Sequence, residues 1–139
     1  MTELRATRVL VAGEAAGEVL ALDEPLSLWG GLDPTTGRII DARHPQRGEP
    51  VSGRVLALGC GKGSSSSSSI LLEAVRLSTA PAAIVLLETD GILALGAAVA
   101  REMYGRHPPV LLLGDADHRR LRTGLAVEID ADGGVRLRD

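Results

Sequence analysis

The chain has 139 residues, an apolar content of 45% and a formal net charge of −3, enough for one hydrophobic core and too apolar for intrinsic disorder. It has no Phe, one Trp and one Tyr, so the core must be aliphatic and single-strand nucleic-acid binding on aromatic platforms is disfavoured. The mild acidity argues against nucleic acid more generally, because counterion release needs clustered Lys and Arg.

Residues 7–12 and 18–22 are short aliphatic runs around Gly13 and Gly17, and they read as a pair of strands. Residues 23–50 carry Pro25, Pro34, Pro45 and Pro50 together with Gly30, Gly31, Gly37 and Gly48. Only residues 38–40 suggest a strand there, after the Asp33-Pro34-Thr35-Thr36-Gly37 turn signal. A segment this long inside a compact domain is more often a working loop than an idle connection. Residues 54–58 form an aliphatic strand that runs into Gly59-Cys60-Gly61-Lys62-Gly63 and then the serines Ser64 to Ser69. Residues 70–77 place Ile70, Ala74 and Leu77 on one helical face, and Pro81 ends that helix. A buried strand at 83–87, an Ala-rich helix at 92–103 closed by Gly105, and a second buried strand at 110–113 follow. His118-Arg119-Arg120-Leu121-Arg122, preceded by Asp115 and Asp117, reads as a solvated helix end. Residues 125–129 and 135–137 make a terminal hairpin across Asp130-Ala131-Asp132-Gly133-Gly134. The chain is therefore expected to be a single α/β domain over 1–139, mostly β at first and then alternating β and α.

One cysteine excludes an internal disulfide, and no spaced Cys and His set suggests a metal site in this chain. The first residues lack the apolar core of a signal peptide, and no apolar run has bilayer-spanning length. The expected location is the cytoplasm, with no membrane partner.

A serine run suggests a flexible tether by composition, but its position argues otherwise. It follows a strand and a Gly-x-Gly-x-Gly loop and flows directly into an amphipathic helix, where the first serines are expected to act as N-caps. Such a strand–glycine loop–helix start is suited to an anion, through free N–H groups and the helix dipole. The Walker A spacing before Lys62 is missing, as is the third glycine of the dinucleotide fingerprint, so nucleotide binding is not the reading. What remains is a group of hydroxyls at the positive end of a helix. Helix N–H groups, a cation such as Lys62 and exclusion of water would favour an ionised serine, able to take a proton next to a substrate carboxylate.

Several stretches together resemble the small subunit, or swivel domain, of the aconitase X family. They are residues 22–34 (LDEPLSLWGGLDP), 37–41 (GRIID), His44-Pro45, Gly61-Lys62-Gly63-Ser64-Ser65, 80–84 (APAAI) and 92–97 (ILALGA), in collinear order over nearly the whole chain. The resemblance implies a swivelling β/β/α fold and a larger catalytic subunit that carries an iron or iron–sulfur centre, with no cofactor on this chain. It implies an active site shared between the two, acting on a small carboxylate. By analogy with the Gly-x-Gly-Ser-Ser loop of aconitases, Ser65 is the catalytic base, with Ser64 and then Ser66 as alternatives in the homopolymer. Gly61, Lys62, Gly63, Ser64 and Ser66 are the substrate-binding set. The family includes dehydratases of cis-3-hydroxy-L-proline and, in archaea, of 5-phosphomevalonate; the serine-rich loop is more similar to the bacterial hydroxyproline type.

Trp29, Gly30 and Gly31 are candidates for a lip over the substrate or a partner contact, the alternative for Trp29 being a filler of the aromatic-poor core. His44 is the one histidine considered for proton transfer, although a solvent-exposed loop role is the commoner one; His107 and His118 read as surface residues. Asp33 suits an Asx turn, and Cys60 a small half-buried packing role. Two other readings stay open: a module that binds a carboxylate or phosphate without chemistry, and a structural subunit whose loop is an interaction surface.

Overall fold

The computed structural model describes residues 1–61 and 64–138. Its strands are β1 (Thr2–Arg5), β2 (Arg8–Val11), β3 (Ala15–Ala21), β4 (Leu32–Asp33), β5 (Arg38–Ile39), β6 (Val55–Leu58), β7 (Ala83–Leu86), β8 (Val110–Leu112), β9 (Ala126–Ile129) and β10 (Gly134–Arg138). The helices are α1 (Leu28–Gly31), α2 (Ser67–Arg76), α3 (Gly91–Tyr104) and α4 (Asp115–His118). Eight strands join in the order β1-β10-β9-β3-β6-β7-β8-β2, while β4 and β5 form a small ribbon. The central strands β3, β6, β7 and β8 are parallel, and both flanks are antiparallel.

The strand period of two divides the central residues between two cores. Leu20, Leu56, Ile84 and Leu86 face Leu71 of α2 and Leu93 and Ala97 of α3. Their neighbours Val19, Val55, Val85 and Leu111 face Val127, Ile129 and Val135 of the antiparallel arm. Helices, parallel sheet and antiparallel arm are therefore three layers, the expected β/β/α arrangement. With no Phe available, the large fully buried side chains among the described residues are Leu, Ile and Val.

Strand β3 belongs to both sheets. Its first half pairs with β9 (Ala15↔Ile129 to Glu18↔Ala126) and its second half with β6 (Val19↔Val55 to Ala21↔Ala57). Gly17 stands at the transition, where a Cβ would overlap the carbonyl oxygen of Gly53. This arrangement corrects the expected pairing of the first two runs. Both edges of β3 are taken, so β2 instead pairs antiparallel with β8 at the far end of the sheet.

Three further differences have local causes. Helix α2 ends before Pro81: Leu77 is its C-cap and Ser78, at φ 62, turns the chain out of the helix. Strand β1 was hidden because only Leu4 of Thr2–Arg5 is buried, and the strand exists by pairing with β10. The basic run lies at the end of the short helix α4, with Arg119, Arg120 and Arg122 exposed as expected, but Leu121 within it is buried. The terminal hairpin does form, with Val135 opposite Ile129.

Its turn is held by Asp130, whose Oδ1 accepts the N–H groups of Asp132 and Gly134, each at 2.9 Å. The Gly134 N–H, then that of Asp132, and Arg136 and Arg5 hold this carboxyl below its ordinary value, with partial desolvation opposing them. A depressed carboxyl stabilises the fold above the unfolded-state value of about 4 and loses that contribution as pH falls through the folded value. Asp130→Asn is therefore expected to lower Tm at neutral pH, with the gap to wild type closing in acid below about pH 4. Thermal melts across that range check it; a gap that does not change with pH contradicts it.

Candidate active site

The carboxyl ends of parallel strands are where an open α/β sheet presents ligand sites, and the glycine–serine loop leaves from one of them. Strand β6 ends at Leu58, and the carbonyl of Gly59 accepts the N–H groups of Leu87 and Glu88 at 3.0 and 3.1 Å, holding the loops after β6 and β7 side by side. Gly61 forms a parallel bridge with Leu26, so the segment before Trp29 runs along the loop. Asp90 completes this corner. Its Oδ1 caps α3 by accepting the N–H groups of Ile92 and Leu93 at 3.0 and 3.1 Å. Its Oδ2 occupies the space a Cβ on residue 61 would need. Asp90 escaped the sequence reading, although Asp-Gly ahead of an apolar helix is an N-cap signal.

The serines that look alike in sequence occupy different environments. Ser64 is half-buried and its carbonyl accepts the Ser67 N–H at 2.9 Å. Ser65 is exposed, its carbonyl accepts the Ser68 hydroxyl at 2.9 Å, and its own Oγ has no hydrogen-bond partner among the described residues. Ser66 occupies the N-cap position but makes no side-chain cap, which corrects the capping expectation. Its backbone is already helical (φ −70°, ψ −14°), whereas a capping side chain reaches back from an extended residue. Among the described residues the N–H groups of Ser65, Ser66 and Ser68, at the positive end of α2, have no hydrogen-bond partner. Ser67 is only 6% exposed.

The candidate lip lies against this turn. Trp29 is 59% exposed, so it does not fill the core. Its N–H donates to Ser67 Oγ at 3.3 Å. Gly30 is exposed at φ 77 with open space where a side chain would stand, while Gly31 is buried against Leu26. His44 is buried rather than solvent-exposed. Its Nδ1 accepts the Gln46 N–H at 3.0 Å, which leaves Nε2 as the protonated nitrogen donating to the Glu24 carbonyl at 3.0 Å. Both ring nitrogens thus brace the loop, leaving neither for proton transfer. His118 is likewise no surface residue: half-buried, it sets Nε2 3.1 Å from the carbonyls of both Leu58 and Val85. Asp33 makes the expected Asx turn, accepting the Thr35 N–H at 2.9 Å. Lys62 and Gly63, expected in the substrate-binding set, lie outside the described residues.

Residues 4–137 match the family described as the aconitase X swivel domain. The chain belongs to that family. It is 51% identical over 108 residues to a cis-3-hydroxy-L-proline dehydratase of Pseudomonas aeruginosa, an alignment covering 78% of this chain and 19% of that protein. It is 42% identical over 127 residues to the phosphomevalonate dehydratase small subunit of Methanothermobacter thermautotrophicus, covering 91% of this chain and 93% of that subunit. Thermococcus kodakaraensis aconitase X, solved in its holo-form, superposes with a TM-score of 0.87 at 34% identity, over 100% of both chains. The chain thus spans about a fifth of the length of the hydroxyproline dehydratase and nearly all of the archaeal small subunit. In this aconitase X swivel domain, no group of three or more His, Cys, Asp or Glu is placed to hold a metal ion among the described residues. No helix among them is long and apolar enough to cross a membrane.

Proposed function

We propose that this chain is the small, swivel-domain subunit of an aconitase X-type hydro-lyase, a single domain over 1–139 that supplies Ser65 as base to an active site shared with a large subunit. The observation that carries the reading is Ser65 itself: an exposed hydroxyl that, like the N–H groups beside it at the positive end of α2, has no partner among the described residues. Those N–H groups favour the alkoxide over the hydroxyl and leave donors for a substrate carboxylate. Ser65 Oγ would take the proton from the carbon next to that carboxylate, the substrate hydroxyl would leave the adjacent carbon as hydroxide, and return of the abstracted proton from Ser65 would convert it to water and regenerate the alkoxide. Gly61, Ser64 and Ser66, with Lys62 and Gly63, would hold the carboxylate. In this reading the iron or iron–sulfur centre that the family implies belongs to the large subunit, where it would supply Lewis acidity. A cytoplasmic location belongs to the same reading, as does the absence of nucleic-acid and membrane partners.

The favoured substrate is cis-3-hydroxy-L-proline, supported by the 51% identity to a dehydratase of that compound. Phosphomevalonate is the second reading, favoured by one fact: the phosphomevalonate relatives are separate small subunits, matched over 93% of the length of one of them. The test is dehydration of each compound by this chain co-expressed with its large partner, beside the isolated chain. Turnover of hydroxyproline by the complex and none by the isolated chain is expected. Activity of the isolated chain would overturn the shared-site reading, and turnover of phosphomevalonate alone would reassign the substrate. Binding of a carboxylate without turnover of either would favour the non-catalytic module.

A further inference from the structure

Among the described residues the buried polar side chains are Ser67 and His44, and both hold the same segment, the long loop of residues 22–50. His44 braces its base through Glu24 and Gln46. Ser67 holds its tip. Although Ser67 belongs to the first turn of α2, its hydroxyl accepts the Trp29 N–H at 3.3 Å and lies 3.5 Å from Ser27 Oγ. Ser27 Oγ in turn donates to the Trp29 carbonyl at 3.2 Å. Trp29 is therefore gripped at both its N–H and its C=O by a two-hydroxyl relay, while its indole is left exposed. Its backbone at ψ 115 and the positive φ of Gly30 take the chain out of helical geometry here, so no continuing helix satisfies these groups. A second attachment, the Leu26–Gly61 bridge, ties the same strip to the other end of the glycine–serine loop.

We propose that Ser67 is a positioning residue that fixes the Trp29 lip to the serine turn, two residues from the exposed Ser65, and so sets the lip's place over the bound substrate. The attachment of the lip stands on the geometry alone; its effect on substrate rests on the functional reading above. A buried hydroxyl whose loss strands a backbone N–H has a measurable cost, and the indole, as the sole Trp of the chain, reports on it directly. In the isolated chain, Ser67→Ala is expected to raise acrylamide quenching of Trp29 about twofold and lower its fluorescence anisotropy, while Ser65→Ala changes neither. Ser67→Thr, which keeps the hydroxyl, restores both values; Ser27→Ala reproduces part of the change and adds little to Ser67→Ala. In the assembled complex, Ser67→Ala is expected to raise KM about fivefold, the scale of one neutral hydrogen bond, with a smaller change in kcat.

Quenching and anisotropy unchanged in a folded Ser67→Ala overturn the proposal. If Ser67→Ala does not fold, the same readings on Ser27→Ala decide it: an unchanged indole overturns it. A loosened Trp29 with unaltered KM refutes the effect on substrate and leaves the attachment standing. A loosened Trp29 in a complex where Ser65→Ala is fully active overturns the assignment of the base and not that of Ser67.

Discussion

Replacing Ser65 by Ala in the assembled complex is expected to lower kcat by roughly 10²- to 10⁴-fold, the usual contribution of a positioned acid–base group, with KM little altered. The split follows from the geometry. Among the described residues this turn offers a substrate carboxylate the backbone N–H groups of Ser65, Ser66 and Ser68, which survive removal of the hydroxyl. Ser65 Oγ makes no hydrogen bond among the described residues, so its loss leaves no buried partner stranded and the fold intact. Ser66→Ala is measured beside it as the alternative base; because the Ser66 hydroxyl does not cap the helix, that variant is also expected to keep the fold. Steady-state kinetics on the co-purified complex, with assembly verified by gel filtration, measure it. Full activity of Ser65→Ala, or a larger loss in Ser66→Ala, would move the base to another serine.

The second large effect concerns stability. Gly17→Ala is expected to destabilise the chain by about 3 kcal/mol, at the upper end of ordinary overpacking. The added methyl would overlap the carbonyl oxygen of Gly53, and a backbone atom cannot move aside as a flexible side chain does. Gly53 is held in turn, at φ 70 and with its N–H on the Ala80 carbonyl at 3.1 Å. Gly17 pairs with Val127 on one sheet, two residues before Val19 pairs with Val55 on the other. Relief of the overlap must therefore disturb both pairings. Urea unfolding followed by circular dichroism reads the change; an unchanged midpoint would mean that the two backbones do not approach.

Much of this architecture was legible in the sequence. The buried strands at 55–58, 83–86 and 110–112 were visible as continuous aliphatic runs, because a parallel strand covered on both faces has no polar side to show. Helix α3 declared its end through Gly105, which takes φ 69. What stayed hidden depended on partners distant in the chain. β1 needs β10, and the choice of β8 for β2 follows only once β3 is known to have both edges occupied. The site was legible to the same depth. A strand, a glycine loop and a helix start located the serine turn, but identical letters could not say which hydroxyl is exposed, which is buried and which stands at the cap. His44 illustrates the opposite error: a proline-rich loop suggested exposure, whereas the loop folds back and uses the ring as an internal brace.

The different environments of identical serines bear on how the gene can change. Loss or gain of one serine would leave every hydroxyl of α2 in register. Counted back from Ile70, a tract shortened by one still places serine at the buried, cap and exposed positions now held by Ser67, Ser66 and Ser65. The change falls instead on the number of residues between Gly61, which is bridged to Leu26, and the first turn of the helix; one residue covers at most about 3.6 Å. Repetition thus keeps serine at the reactive positions when one serine is lost or gained, and the change is felt in the length of the glycine strap.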